Sequence, residues 1–209
     1  MAIYTSKTRI DLEDVGYSNK ITNKAILKIL ENAGARQSET IHFGLNDMEN
    51  VGFSWILLGW KVKILKRPIY NEELTINTWG RDSNRIFTYR DYEIYDESGE
   101  LCAIATSKWA IVDINTGKLR ELTPEIIEKY QCETKKVFEE DYTLKLKEPA
   151  TIIRKQEYKA QRRDIDINKH IHNLYYLDYA YEALPEEVYE APECNNIEIM
   201  YKKQIRLND

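Results

Sequence analysis

Residues 19–38 carry apolar side chains at helical spacing. Ile21, Ala25, Ile26, Ile29, Leu30 and Ala33 recur on one face, which predicts an amphipathic helix. The stretches that follow, 51–65, 73–80, 84–96 and 101–114, are rich in β-branched and aromatic residues and read as strands. The turn-like runs Asp96-Glu97-Ser98-Gly99 and Asn115-Thr116-Gly117 close the last two. Gaps this short join antiparallel neighbours. Residues 118–149 read as a connector with one short helix, Thr123 capping it and Pro124 opening it. A charged stretch, Cys132 to Glu148, completes the connector. Strand 151–161 begins a second unit, a helix over 171–184 stops before Pro185, and a strand-like run spans 195–207.

The second unit repeats part of the first. At a constant offset of 150 residues, segment 14–33 lies over 164–183 without a gap. Asp14 meets Asp164, Val15 meets Ile165, Ile21 meets Ile171 and Asn23 meets Asn173. Leu27 meets Leu177 and Ala33 meets Ala183. Both copies run through a polar loop into an amphipathic helix. Three strand-like stretches follow residue 65 in the first copy, whereas the second reaches Asp209 soon after its post-helix strand. The second half is therefore expected to be incomplete, with residues of the full repeat absent from the chain.

Composition narrows the function. The 209 residues suit one large domain or two small ones, and 43% hydrophobic content supplies a core. Only 8 Gly and 5 Pro exclude a collagen-like or low-complexity chain. A net charge of -5 argues against a general nucleic-acid binder. No apolar run approaches the ~18–20 residues of a membrane span, and the first residues lack an apolar signal core. Cys102, Cys132 and Cys194 are odd in number, widely spaced and without a CxxC pair. That pattern fits a reducing cytoplasm and offers neither a disulfide framework nor a structural zinc site.

The chemistry concentrates at Arg162-Arg163-Asp164-Ile165-Asp166-Ile167-Asn168-Lys169-His170-Ile171-His172-Asn173. Strand spacing would put Asp164, Asp166, Asn168 and His170 on one side and Ile165, Ile167 and Ile171 on the other. His moves protons near neutral pH, a carboxylate orients it or activates water, and an Asn amide holds a carbonyl. A helix start adds N–H donors for an oxyanion. The combination points to acyl hydrolysis. The same residues also serve as turn and cap without chemistry. His170-x-His172 with Asp166 has ligand-like composition for a metal, but across a helix start the two imidazoles diverge. The first copy weighs against a purely structural role: opposite Asp166, Asn168 and His170 it has Gly16, Ser18 and Lys20. His42 stands alone and reads as a surface residue.

The run from Asp164 to Asn173, followed by Tyr176, resembles the D-x-D-x-N-x-H-V-N-N-x-x-Y signature of acyl-acyl carrier protein thioesterases. Trp55-Ile56-Leu57, Arg67-Pro68, Thr78-Trp79 and Lys108-Trp109-Ala110-Ile111-Val112-Asp113 with Thr116 are similar to the family's first-half motifs. The resemblance implies an α+β tandem (double) hotdog, each half an antiparallel sheet wrapped around a long helix. It implies an N-terminal acyl-chain-binding hotdog over 1–130, a linker over 131–150 and a truncated catalytic hotdog over 151–209. The implied reaction is hydrolysis of fatty acyl-acyl carrier protein, without cofactor or metal, to free fatty acid. Asp166, Asn168 and His170 take the places of the family's catalytic Asp, Asn and His. The later family motif falls on Met200–Ile205, so Gln204 stands where a catalytic Glu is usual and Ile205 where plant members have Cys. A Gln amide positions water but accepts no proton from it. His172 departs too, since the family usually has Asn there. The partner implied is the acidic carrier protein, met by a local basic patch. Two readings stay open beside this one: a thioesterase for coenzyme A esters, and a catalytically weak acyl-binding hotdog because of Gln204. Monomer and homodimer are both compatible with fused halves.

Overall fold

The computed structural model describes residues 3–81, 84–140, 145–189 and 194–207; positions 141–144 of the expected connector lie outside them. In chain order the elements are β1 (Tyr4–Arg9), α1 (Asn23–Thr40), α2 (Met48–Val51), β2 (Phe53–Ile64), β3 (Glu73–Gly80), β4 (Phe87–Tyr95), β5 (Leu101–Asp113), β6 (Leu119–Arg120), α3 (Pro124–Tyr130), α4 (Asn173–Glu182), α5 (Glu186–Tyr189) and β7 (Asn196–Met200). Single 3-10 turns lie at Leu12–Asp14, Leu45–Asp47 and Arg162–Asp164. The chain forms two units, one of residues 1–144 with 195–200, the other of 145–194 with 201–209.

The first unit is an antiparallel sheet in the order β1-β3-β4-β5-β2-β7, with β6 on β5. Helix α1 packs on β3 and β1. It starts where the Thr22 hydroxyl accepts the Ala25 N–H at 3.1 Å. Ile26, Leu27, Leu30 and Ala33 bury its apolar stripe against a core that includes Trp60, Leu74, Ile76, Tyr92 and Ile94. Each of the larger ones, Ile26, Leu27 and Leu30, contributes roughly 1.5–3 kcal/mol by leaving water. The helix and antiparallel strands are those that the periodicity predicts, and their arrangement is the α+β hotdog that the family resemblance implies. The helix begins at Asn23 rather than near residue 19, because residues 16–20 are taken up by a tight turn.

The start of the connector is bound to the sheet. The Trp79 indole N–H donates to Lys135 O at 2.9 Å, and the Val137 N–H to Asp91 Oδ2 at 3.0 Å. Asp91 is fully buried beside Arg81, and burial pushes its carboxyl pKa up despite the Thr106 hydroxyl and that guanidinium. Thr123 caps α3 through its hydroxyl, with Pro124 at the first position, as the sequence pattern predicts.

Two expected strands are corrected. Residues 151–161 form none, and Ile152 and Ile153 are exposed; among the described residues no ladder partner meets them, and a strand without a partner leaves its backbone groups unpaired. The run 195–207 is a strand only as far as Met200. Its pairing with β2 ends at Gly59, where β2 carries an irregularity in register. The second unit holds α4, capped by His172, and the short α5.

Candidate active site

The polar segment of the second unit is a closed turn, not a strand. Ile165 and Ile171 form an antiparallel bridge, and the chain reverses between them. The Asp166 N–H donates to His170 O at 2.8 Å, and the Lys169 N–H to Asp166 O at 3.0 Å. Lys169 adopts a left-handed backbone, φ 62°. For a non-glycine residue that conformation costs about 1–2 kcal/mol, so the turn must be held by other contacts. Asp166 supplies them: its Oδ1 accepts the N–H of Asn168 at 2.8 Å and of His170 at 3.2 Å. A carboxylate competing for backbone donors in this way breaks strand geometry. Ile167, expected to share a face with Ile165 and Ile171, is instead 66% exposed at the tip.

The first unit contains the same turn at the offset of 150 residues. Val15 bridges Ile21, the Gly16 N–H donates to Lys20 O at 3.0 Å, and the Asn19 N–H to Gly16 O at 2.9 Å. Asn19 is left-handed at φ 60°. Before the turn, Asp14 Oδ2 accepts the Asp11 N–H at 3.1 Å, and Asp164 Oδ2 accepts the Gln161 N–H at 2.8 Å. After it, the Thr22 N–H donates to Asp14 O at 2.9 Å and the His172 N–H to Asp164 O at 2.8 Å. The residues held in common are therefore scaffold. Asp164 is buried, and it also accepts the Tyr179 hydroxyl at 2.6 Å.

The residues that differ are the ones expected to carry the chemistry. Asp166 and His170 are half-buried and the Asn168 side chain is exposed. Asn168 holds Asp166 by its backbone N–H, so its amide stays available. Asp166 Oδ2 makes no hydrogen bond among the described residues, and neither does the buried His170 Nδ1. His172 is the N-cap of α4: its Nδ1 accepts the Leu174 N–H at 3.3 Å. That use orients it into the helix start, away from a shared ligand role with His170. Among the described residues no three His, Cys, Asp or Glu converge as a metal site.

Gln204 is exposed. Its place is defined by a relation the constant offset does not reveal. The Ile171 N–H donates to Ile205 O at 2.8 Å, as the Ile21 N–H donates to Pro68 O at 2.9 Å. Position 204 is therefore the counterpart of Arg67. In the first copy the Arg67 guanidinium fills that place, donating to Ile21 O at 2.9 Å and to Asn23 Oδ1 at 2.7 Å. Tyr176, present in the sequence motif but given no role there, donates its hydroxyl to Lys203 O at 3.2 Å.

Comparison with known proteins agrees with this architecture. The family model described as the acyl-ACP thioesterase N-terminal domain matches residues 1–130, and that of the C-terminal domain matches residues 147–209. The Arabidopsis thaliana oleoyl-acyl carrier protein thioesterase 1 is 24% identical over 99% of this chain and 61% of its own length. The chain thus spans about three fifths of that curated plant relative. A crystal structure of an acyl-ACP thioesterase from Bacteroides thetaiotaomicron superposes with a TM-score of 0.85 at 22% identity, covering 100% of this chain and 84% of the other. The 12:0-ACP thioesterase from Umbellularia californica superposes at 0.83 with 17% identity, over 99% and 84%. No helix among the described residues is long and apolar enough to cross a membrane. With both family models matched in order along a hotdog sheet and its repeated turn, the chain belongs to the acyl-ACP thioesterase family.

Proposed function

We propose that this chain hydrolyses the thioester between a fatty acyl group and the phosphopantetheine arm of acyl carrier protein, in the cytoplasm. The observation that carries the reading is the pair of turns: one backbone, with Asp166, Asn168 and His170 on the second copy only. In this scheme the Asp166 carboxylate, oriented by two backbone N–H groups, takes the proton of an attacking water. The Asn168 amide holds the thioester carbonyl, and N–H groups near the start of α4 stabilise the oxyanion. The carbon–sulfur bond then breaks, and His170 delivers a proton to the departing thiolate. Thiols are good leaving groups, with a pKa near ~8.5 for the Cys analogue, so oxyanion binding matters more than strong acid assistance. Gln204 orients the water through its amide without taking its proton.

The division of labour follows the family: residues 1–130 bind the acyl chain along the apolar stripe of α1, 131–150 link, and 151–209 carry the chemistry. The acidic carrier meets basic residues of the second unit, namely Arg154, Lys155, Arg162, Arg163, Lys202, Lys203 and Arg206. Lys202 is in part engaged already, since it pairs with Glu148. Complementary charge of this kind acts mainly on encounter. Charge reversal at Arg162 and Lys203 is expected to lower kcat/KM on carrier-bound substrate and leave a small thioester unaffected.

The Gln at position 204 favours a second reading, an acyl-binding protein with little turnover. Thiol release from carrier-bound acyl chains of several lengths, beside the matching coenzyme A esters, decides among the readings. Release with the carrier preferred supports the proposal. Release confined to coenzyme A esters contradicts the substrate, and tight acyl binding without thiol release supports the second reading.

A further inference from the structure

We infer that Tyr176 is a positioning residue, holding the backbone of residue 204 against the Asp166 turn so that the side chain at 204 is left for substrate or water. The kinetic consequence rests on the thioesterase reading; the contact itself does not.

The phenol reaches both neighbours of Gln204. Its hydroxyl donates to Lys203 O at 3.2 Å, and the Ile205 backbone bonds to the same group. Ile205 is tied from its other side by the Ile171 N–H, at 2.8 Å. The Tyr176 ring stands edge-on to Tyr201, centroids 5.6 Å apart, and the Tyr201 hydroxyl donates to Asn173 O at 3.3 Å. Residues 201–205 are thereby fixed on the first turn of α4. The Asp166 turn is close enough for its charge to be felt at the phenol. Burial is the main cause raising the Tyr176 pKa, the Ile205 backbone opposes it, and the Asp166 charge raises it further.

The first copy explains why this device exists. There the counterpart of Tyr176 is Ile26, a core residue with no polar group. Position 67 is pinned by its own guanidinium, through Ile21 O and Asn23 Oδ1. That solution uses up the side chain. In the second copy a phenol does the pinning, and the Gln204 side chain makes no hydrogen bond among the described residues. Holding a water-orienting group by its neighbours rather than by its own polar atoms is what preorganisation requires.

The test is a double-mutant cycle on the full chain, with thiol release from acyl carrier protein as the readout. Tyr176→Phe is expected to lower kcat about three- to tenfold, the worth of one hydrogen bond, with KM little changed. In the Gln204→Ala background the same change is expected to cost almost nothing. Equal losses in both backgrounds, or no loss in the parent, would overturn the inference. Hydrogen exchange of the peptide covering 201–206 reads the contact without any substrate. It is expected to quicken in Tyr176→Phe while the unfolding midpoint holds; unchanged exchange overturns the inference even in a chain that hydrolyses nothing. A parent chain without thiol release, by contrast, contradicts the thioesterase reading alone.

Discussion

Turns 15–21 and 165–171 share a bridge, a left-handed residue in the fourth place after the bridge opens, and a buried aspartate tied to a backbone N–H three residues earlier. They differ in what stands on that frame. The first presents Gly16, Ser18 and Lys20, with Arg67 clamped beside it. The second presents Asp166, Asn168 and His170, with the uncommitted Gln204. The frame common to both turns is therefore held by what both copies keep, while Asp166 braces the second turn through Oδ1 and, with Asn168 and His170, is the group proposed to meet the substrate.

The sharpest way to break this comparison is Asp166→Asn. Loss of a placed general base is expected to lower kcat about 100-fold or more, read as thiol release, with the fold intact by circular dichroism. An equal rate in the variant would remove the chemical half of the contrast. Asp164→Ala probes the other half. It leaves the Tyr179 hydroxyl and the Gln161 N–H without their acceptor. A cost of about 2–3 kcal/mol is expected in urea unfolding. The rate should fall only in proportion to the folded fraction. Gln204→Glu sharpens the picture next: a second carboxylate is expected to raise kcat about tenfold, less than a sole base supplies because in the proposed scheme Asp166 accepts the proton. His172→Asn is the smallest change. His172 caps α4 and an Asn side chain is able to accept the same N–H, so stability should shift by under about 0.5 kcal/mol, and a thermal melt checks it.

Much of the fold was legible because its periodicity is strong. Strands β2 to β5 lie within the stretches that β-branched and aromatic residues mark out, and Thr123-Pro124 marked α3. The segment 164–171 departs from its strand-like pattern for a local reason. Its alternation imitates a strand, while a carboxylate bonding the backbone two and four residues ahead makes a turn. The strand expected over 151–161 had β-prone residues but no ladder partner among the described residues, and pairing is not written in one segment's composition. The repeat singled out Asp166, Asn168 and His170 as the candidates for chemistry. It did not expose the pairing of Arg67 with Gln204, because intervening lengths differ and only the carbonyls of Pro68 and Ile205 reveal it. The role of Tyr176 was hidden likewise: its partner is a backbone carbonyl 27 residues away.

One exchange tests the central claim most directly. Residues 166–170 are given the first copy's identities: Asp166→Gly, Ile167→Tyr, Asn168→Ser, Lys169→Asn and His170→Lys. This chain is expected to melt close to the parent, since the first copy closes the same turn with these residues and without the Asp166 carboxylate, and to release no thiol from carrier-bound acyl groups. Hydrolysis at the parent's rate by the exchanged chain would contradict it.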